Sequence, residues 1–240
     1  MVFWQGANQL KTKYTRLGSQ YGGWYYPKGK LQADDTTLMV GTGEDVSFDI
    51  ELYRKANCRT ILVDPTPKAL DHWEELSNAA KRNINFPINN NPNEKYRLED
   101  IDLSKIEFYQ LALWGENREI DMFEPQNPDF VSHTAIKSSK KFNVGFKAKA
   151  LTFDRLCEVL NIKRLKFIKL DIEGAEEYAL IDILERTRDL GIQFLQVEFH
   201  PIDNLAVSTI IDKWIKIFLL YGWILSIKEN QNLCFENNNL

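Results

Sequence analysis

Short apolar runs alternate with stretches of helical spacing along most of this chain. Thr37-Leu38-Met39-Val40 is apolar and stops at Gly41, Thr60-Ile61-Leu62-Val63 stops at Asp64, Leu165 to Leu170 stops at Asp171, and Ile192 to Phe199 stops at His200. Runs this short and this apolar predict strands buried on both faces, the habit of parallel sheets. Between them, Asp45 to Ala56 places Val46, Ile50 and Tyr53 on one stripe, and Lys68 to Asn83 does the same with Leu70, Trp73, Leu76 and Ala80. That spacing predicts amphipathic helices. Phe153–Leu160, Gly174–Leu184 and Val207–Leu220 read as further helices, and Trp223–Lys228 with Leu233–Glu236 as a closing hairpin. Alternating β and α elements imply right-handed crossovers and a doubly wound, mostly parallel α/β sheet with an antiparallel C-terminal hairpin.

The regions between are less regular. Residues 1–35, centred on Tyr21-Gly22-Gly23-Trp24-Tyr25-Tyr26-Pro27, read as a lead-in packed over a domain of residues 36–240. Phe86 to Pro92, rich in Asn and Pro, is expected as a surface loop. Ile106 to Trp114 reads as one strand, Glu119 to Glu124 as a hairpin partner or inserted strand, and Asn127 to Asn143 as a long loop. Long loops in compact domains often act as lids.

Composition narrows the partners more than the fold. A net charge of −4 over 240 residues argues against a general nucleic-acid binder, which carries a basic excess. Cys58, Cys157 and Cys234 are scattered and form no Cys-x-x-Cys pair, so each is expected as a buried thiol. The apolar run at Ile210–Leu220 contains Asp212, Lys213 and Lys216, which excludes a membrane span there. No secretory h-region is apparent near the amino terminus, so the cytoplasm is the expected compartment.

Candidate chemistry gathers at the strand ends. Gly41-Thr42-Gly43-Glu44-Asp45 lies between a strand and a helix, where glycines let the backbone approach a ligand and helix N–H groups face an anion. The third glycine of a dinucleotide fingerprint would fall at Val46, which argues against a nicotinamide or flavin oxidoreductase. A tight βα turn is the plain alternative. Asp64, about twenty residues on, is placed to accept hydrogen bonds from a ribose. Its alternative is to cap the next helix, a task that Thr66 could take instead. Asp171 ends the next parallel strand, with Glu173 and Glu176 expected in the first helical turn, where carboxylates also suit the helix dipole. Strand periodicity puts Gln196, Glu198 and His200 on one face, toward the edge that carries Asp171. A fifth, weaker cluster joins Ser132 and His133 to Lys137, Lys140, Lys141, Lys147 and Lys149. It is either a solvated loop or a lid whose lysines meet an anionic acceptor.

Taken in order, five phrases resemble the FkbM family of methyltransferases: Gly41 to Asp49, Asp64-Pro65-Thr66-Pro67, Val131-Ser132-His133, Lys169 to Glu176, and Glu198-Phe199-His200. The likeness runs from about Tyr21 to Glu236. It implies a class I Rossmann-like fold, S-adenosylmethionine as donor with S-adenosylhomocysteine as product, and a hydroxyl acceptor. That acceptor would be a sugar or glycan, or alternatively a polyketide-type natural product. On this resemblance Gly41, Thr42, Gly43 and Glu44 would cradle the methionine portion, and Asp64, beside Pro65 and Thr66, would hold the ribose. Ala112, Leu113 and Trp114 would flank the adenine. Asp171 and His200 would face the reacting centre as candidate bases, with Glu173, Glu198, Ser132 and His133 toward the acceptor. Many relatives have Glu where this chain has Asp64. A divalent metal held by Asp171, Glu198 and His200 is a secondary option that no ligand spacing favours. A non-catalytic nucleoside-binding protein on the same fold is the other alternative, and the oligomeric state is not readable.

Overall fold

The computed structural model describes residues 13–89, 91–124, 133–136, 143–202 and 205–237. Strands β3 (Thr36–Val40), β4 (Arg59–Val63), β7 (Ile106–Tyr109), β11 (Phe167–Leu170) and β12 (Phe194–Glu198) run parallel. With β13 (Trp223–Glu229) and β14 (Asn232–Asn237) they form a seven-stranded sheet in the order β13-β14-β12-β11-β3-β4-β7. The last strand, β14, inserts antiparallel between β12 and β13. The expected doubly wound sheet with an antiparallel C-terminal pair is therefore observed.

Side-chain alternation divides the core in two. Leu38, Val40, Ile61, Val63, Ile168 and Leu170 face one layer, which includes α3 (Phe153–Val159), α4 (Glu176–Glu185) and α5 (Val207–Leu220). Met39, Leu62, Phe167 and Phe194 face the other, packed by α1 (Ser47–Ala56) and α2 (Pro67–Lys81). Both faces are dry because every central strand residue is apolar or paired. Thr66 caps α2, its hydroxyl accepting from Ala69 N at 3.3 Å, which relieves Asp64 of that task.

Three regions depart from the expectations. The segment 106–114 is two strands: β7 joins the main sheet, whereas β8 (Ala112–Leu113) leaves it to pair with β10 (Val144–Leu151). Strand β10 was hidden because Lys147 and Lys149 make its exposed face look like a loop. It pairs antiparallel with β9 (Arg118–Phe123), and Lys147 meets Glu119 across the ladder at 2.9 Å. Phe86 to Pro92 is not a plain loop, since β5 (Pro87–Ile88) and β6 (Asn91–Lys95) form a short hairpin. The lid lysines Lys137, Lys140 and Lys141 lie outside the described residues.

The lead-in is a hairpin, β1 (Tyr14–Leu17) with β2 (Trp24–Pro27). Trp24 and Tyr26 are buried in the second core layer. Burial of each such side chain is worth roughly 1.5–3 kcal/mol, against about 1 kcal/mol for a hydrogen bond, so the aromatics hold the hairpin down. Its position is fixed by Gln196, 1% exposed in the middle of β12. The Gln196 carboxamide accepts from Tyr25 N at 3.2 Å and donates to Tyr25 O. Replacing Gln196 with Ala should speed amide hydrogen exchange across residues 14–27 by about tenfold or more, since each buried unpaired group costs roughly 1–3 kcal/mol. Unchanged exchange there would show that the aromatics alone set the hairpin's position.

Candidate active site

The strand order reverses direction between β3 and β11, so their carboxyl ends open a crevice. The two strands meet closely at that point. A Cβ on Gly41, whose φ is +78°, would stand 1.6 Å from the Asp171 carbonyl oxygen. Gly41 is therefore required by sheet packing. Gly43, at φ +55°, has open space around it, and it is the glycine that leaves room for a ligand.

A cavity of about 700 Å³ occupies the crevice. Gly41, Thr42, Gly43 and Glu44 line it, as do Asp64, Pro65, Thr66, Ala112, Leu113, His133, Asp171, Glu173, Glu198 and His200. The sequence-stretch candidates thus meet in one space, with two exceptions. Trp114 does not line the cavity; it stacks on Tyr178 at 4.2 Å, because the turn out of β8 directs its ring toward α4. Ser132 lies outside the described residues.

Asp64 is more engaged than expected. It accepts from Gly43 N at 2.9 Å, from Thr66 N at 2.8 Å and from the Thr66 hydroxyl at 2.6 Å. A carboxylate has about four acceptor sites, so one remains for a ribose hydroxyl rather than two. The same bonds fasten the glycine turn to the end of β4. Asp45 fastens its other side, accepting from the Ser19 hydroxyl (2.6 Å), Ser47 N (3.0 Å) and the Asn89 amide (2.8 Å). Burial works against the Asp45 charge, yet these bonds outweigh it and hold its carboxyl below the usual range.

The polar centre is built by the turn from β11 into α4. Glu173 (φ +54°) and Gly174 (φ +99°) both adopt left-handed backbone, so Glu173 precedes the helix instead of lying in its first turn. Strain of this kind concentrates at functional sites. The Thr134 hydroxyl donates to Glu173 O at 2.7 Å and Ile136 packs over Gly174, which docks His133 and Ala135 onto the cavity wall. Glu176, 1% exposed, accepts from Ile172 N at 2.9 Å and from His200 Nδ1 at 3.1 Å. On its other side His200 Nε2 faces Glu173 at 3.6 Å and Asp171 at 3.7 Å.

Charges follow from this packing. Burial pulls the His200 pKa down, but the hydrogen bond and charge of Glu176, then Glu173 and Asp171, raise it to about 10. His200 is consequently an imidazolium at neutral pH, with no lone pair to take a substrate proton. The three groups whose ligand atoms could surround a metal are Asp171, Glu173 and His200, with Glu173 replacing the expected Glu198. Burial, and next the charge of Glu198, raise Asp171 well above the carboxylate range, while Lys169 and His200 oppose the shift. Lys169 itself is buried 3.7 Å from Asp49 and over the Trp24 ring at 5.4 Å.

Several of these residues escaped the sequence reading. Asn89, Lys169 and Tyr21 all line the cavity; nearness to Asp171 and to a Gly-Gly pair could have marked the last two, whereas Asn89 meets Asp45 from 44 positions away and had no such signal. Gln196 was grouped with Glu198 and His200, but it serves the N-terminal hairpin.

A glycine turn after the first parallel strand, an acid after the second, and an acid-rich edge beside an inserted antiparallel strand define a class I methyltransferase fold. The family model described as "Methyltransferase FkbM domain" matches residues 37–223, and the chain belongs to that family, whose methyl donor is S-adenosylmethionine. Among solved structures, it is similar to the Methanococcus jannaschii fibrillarin pre-rRNA processing protein (10% identity, TM-score 0.44, covering 86% of this chain and 66% of that one). It is also similar to M. capricolum TrmK in complex with S-adenosylhomocysteine (10%, 0.38, 87% and 64%). A third is the METTL16 MTase domain (8%, 0.44, 87% and 60%). The chain thus spans slightly less than two thirds of the length of these structures. No curated protein sequence matches it. Among the described residues, no helix is long and apolar enough to cross a membrane.

The residues present fit the donor. The cavity is predominantly acidic, which suits a sulfonium and an ammonium group. Thr42 Oγ1 is buried at the glycine turn without a hydrogen-bond partner, which leaves a polar atom for a ligand to satisfy.

The His200 proton can be observed directly. Its folded pKa lies above the ordinary 6.5, so the stability it contributes is complete below about pH 6.5 and is lost as pH rises through about 10. Imidazole NMR shifts of His200 should stay at the protonated position from pH 6 to 8, and Glu176→Gln should move the titration down toward neutrality. A midpoint near 6.5 in the unsubstituted protein would overturn this assignment.

Proposed function

We propose that this protein transfers the methyl group of S-adenosylmethionine to a hydroxyl, that of a sugar or glycan, with Asp171 as the proton acceptor. The observation that carries the reading is the pairing of a half-buried Asp171, its pKa raised by desolvation, with a cationic His200 3.7 Å away. When bound, the donor supplies a methyl carbon already activated by sulfonium, and the leaving group is a neutral thioether.

The chain's residues then have three tasks. Gly43, Thr42 and Asp64 hold the donor against the ends of β3 and β4. Asp171 orients the acceptor hydroxyl and takes its proton as the oxygen attacks in line. A base poised near neutrality is the effective choice, since it is both available and able to accept. His200 supplies positive charge beside Asp171 and Glu173. Alignment of two bound reactants and removal of one proton account for the catalysis this reaction needs.

Asp171→Asn should lower kcat by roughly 10²–10⁴ while calorimetry shows S-adenosylhomocysteine binding within a few-fold of the original. The rate of the unsubstituted protein should fall as pH drops through the raised Asp171 pKa, because protonation removes the base. Full turnover by Asp171→Asn would sink the assignment of the base, and absence of donor binding would sink the methyl-transfer reading.

A further inference from the structure

The cavity is not closed by the FkbM domain alone. Part of its lining comes from chain that flanks the matched residues 37–223: Tyr21 to Trp24 of the β1–β2 hairpin, and Glu229 and Asn232 at the adjoining β13–β14 turn, where Tyr25 of the first hairpin bonds Glu229. Asn232 lies opposite Glu198 in the β12–β14 ladder, and the charges of Asp171, Glu173 and Glu198 act on the Tyr21 hydroxyl.

The tip of the first hairpin is rigidly held. Ser19 N donates to the Ser47 hydroxyl at 2.8 Å, Ser19 Oγ donates to Asp45, and Gly22 N donates to Ser19 Oγ at 2.8 Å. Arg16 clamps the turn from within, donating to Ser19 O at 2.7 Å and Gln20 O at 2.8 Å. A Cβ on Gly22 would stand 2.5 Å from Asp45 Cγ, so this glycine is what lets the tip press onto the glycine turn. On that fixed tip Tyr21 lines the cavity and is 79% exposed, although Trp24 and Tyr26 of the same hairpin are buried. Packing gives no reason for a large ring there. An aromatic face held over a cavity mouth is a ready platform for an apolar ring face.

The polar lining defines what can lie on that platform. Among the described lining residues, seven are carboxylates: Glu44, Asp45, Asp64, Asp171, Glu173, Glu198 and Glu229. The cations there are committed: Arg16 to the hairpin carbonyls, Lys169 to Asp49, and His200 to Glu176. Carboxylates accept hydrogen bonds from hydroxyls and repel anions.

We propose that the two terminal hairpins form the acceptor subsite, in which Tyr21 stacks on a neutral, polyhydroxylated ring held by Glu198, Glu229 and Asn232, and from which anionic acceptors are rejected. This rests on the hydroxyl-methylation reading above and deepens it. It also places specificity in segments beyond the shared domain, and it assigns the acceptor a charge class opposite to the one a lysine lid would choose.

The test uses the full chain with labelled S-adenosylmethionine and two probe sets: methyl hexopyranosides, and the corresponding hexuronates and hexose 6-phosphates. Transfer is expected to the neutral set, at least tenfold above the anionic set in kcat/KM. Tyr21→Ala should raise the acceptor KM about tenfold with kcat nearly constant, and Tyr21→Phe should restore it, since stacking needs the ring alone. Affinity of both variants for S-adenosylhomocysteine should stay within about twofold, which also shows that they fold. Equal or better transfer to the anionic probes overturns the proposal, as does an unchanged KM in Tyr21→Ala or a matching loss of S-adenosylhomocysteine affinity. Binding of S-adenosylhomocysteine without transfer to any hexopyranoside overturns the subsite but leaves donor binding standing. Failure to bind S-adenosylhomocysteine overturns the methyl-transfer reading itself.

Discussion

One buried carboxylate organises the carboxyl edge of the sheet. Glu176 Oε1 takes hydrogen bonds from the backbone N–H of Ile172 and from His200 Nδ1, and so ties the turn after β11 to the residue after β12. Removing a charge of this kind from water costs several kcal/mol, a cost offset only when the partners are close and complete. The backbone bond and the imidazolium meet that condition. Because Glu176 keeps His200 charged, a positive group stands where Asp171 and Glu173 converge. That charge opposes the rise that burial and Glu198 impose on Asp171.

Elsewhere in the crevice each acid is managed differently. Asp45 and Asp64 are consumed largely by hydrogen bonds, which fix the glycine turn from two sides. Asp171 and Glu198 lack such partners in comparable number, and burial pushes both upward. Environment therefore separates Asp45, whose hydrogen bonds hold its carboxyl below the usual range, from Asp171 and Glu198, which burial pushes up. Such separation of titratable groups by environment is how one fold assigns acid and base roles.

The doubly wound core was legible because its strands are short, mostly apolar runs and each is followed by a residue of distinct chemistry: Gly41, Asp64, Asp171 and His200. The same ends delivered the inner half of the site. What stayed hidden had physical reasons. Strand β10 carries lysines on its solvent face and small alanines on the other, so neither hydrophobicity nor β-branching announces it. Trp114 follows a two-residue strand, too short for its period to predict which way the ring turns. Asn89 and Tyr21 act through contacts with Asp45 and the cavity mouth that link residues far apart in sequence. Glu176 looked like a residue placed for the helix dipole, and its partner His200 is 24 positions away.

That asymmetry bears on how selectivity arises. The glycine turn and the acid after β4, the proposed donor cradle, are written in local sequence. An acceptor surface made from these two hairpins is free to vary without disturbing the sheet's ladder, because β1 and β2 pair only with each other as strands and reach the sheet through side chains, among them Gln196, the Tyr14 hydroxyl on Glu236 and two buried aromatics. The hairpin is nevertheless fixed before any ligand arrives, by Ser19, Arg16 and the close approach of Gly22 to Asp45. A wall ordered in advance spends no binding energy on its own folding, so contacts at Tyr21 would count fully toward choosing one acceptor over another. The acid that seats this hairpin, Asp45, also seats the glycine turn, which couples the geometry of the acceptor wall to that of the donor cradle through a single side chain.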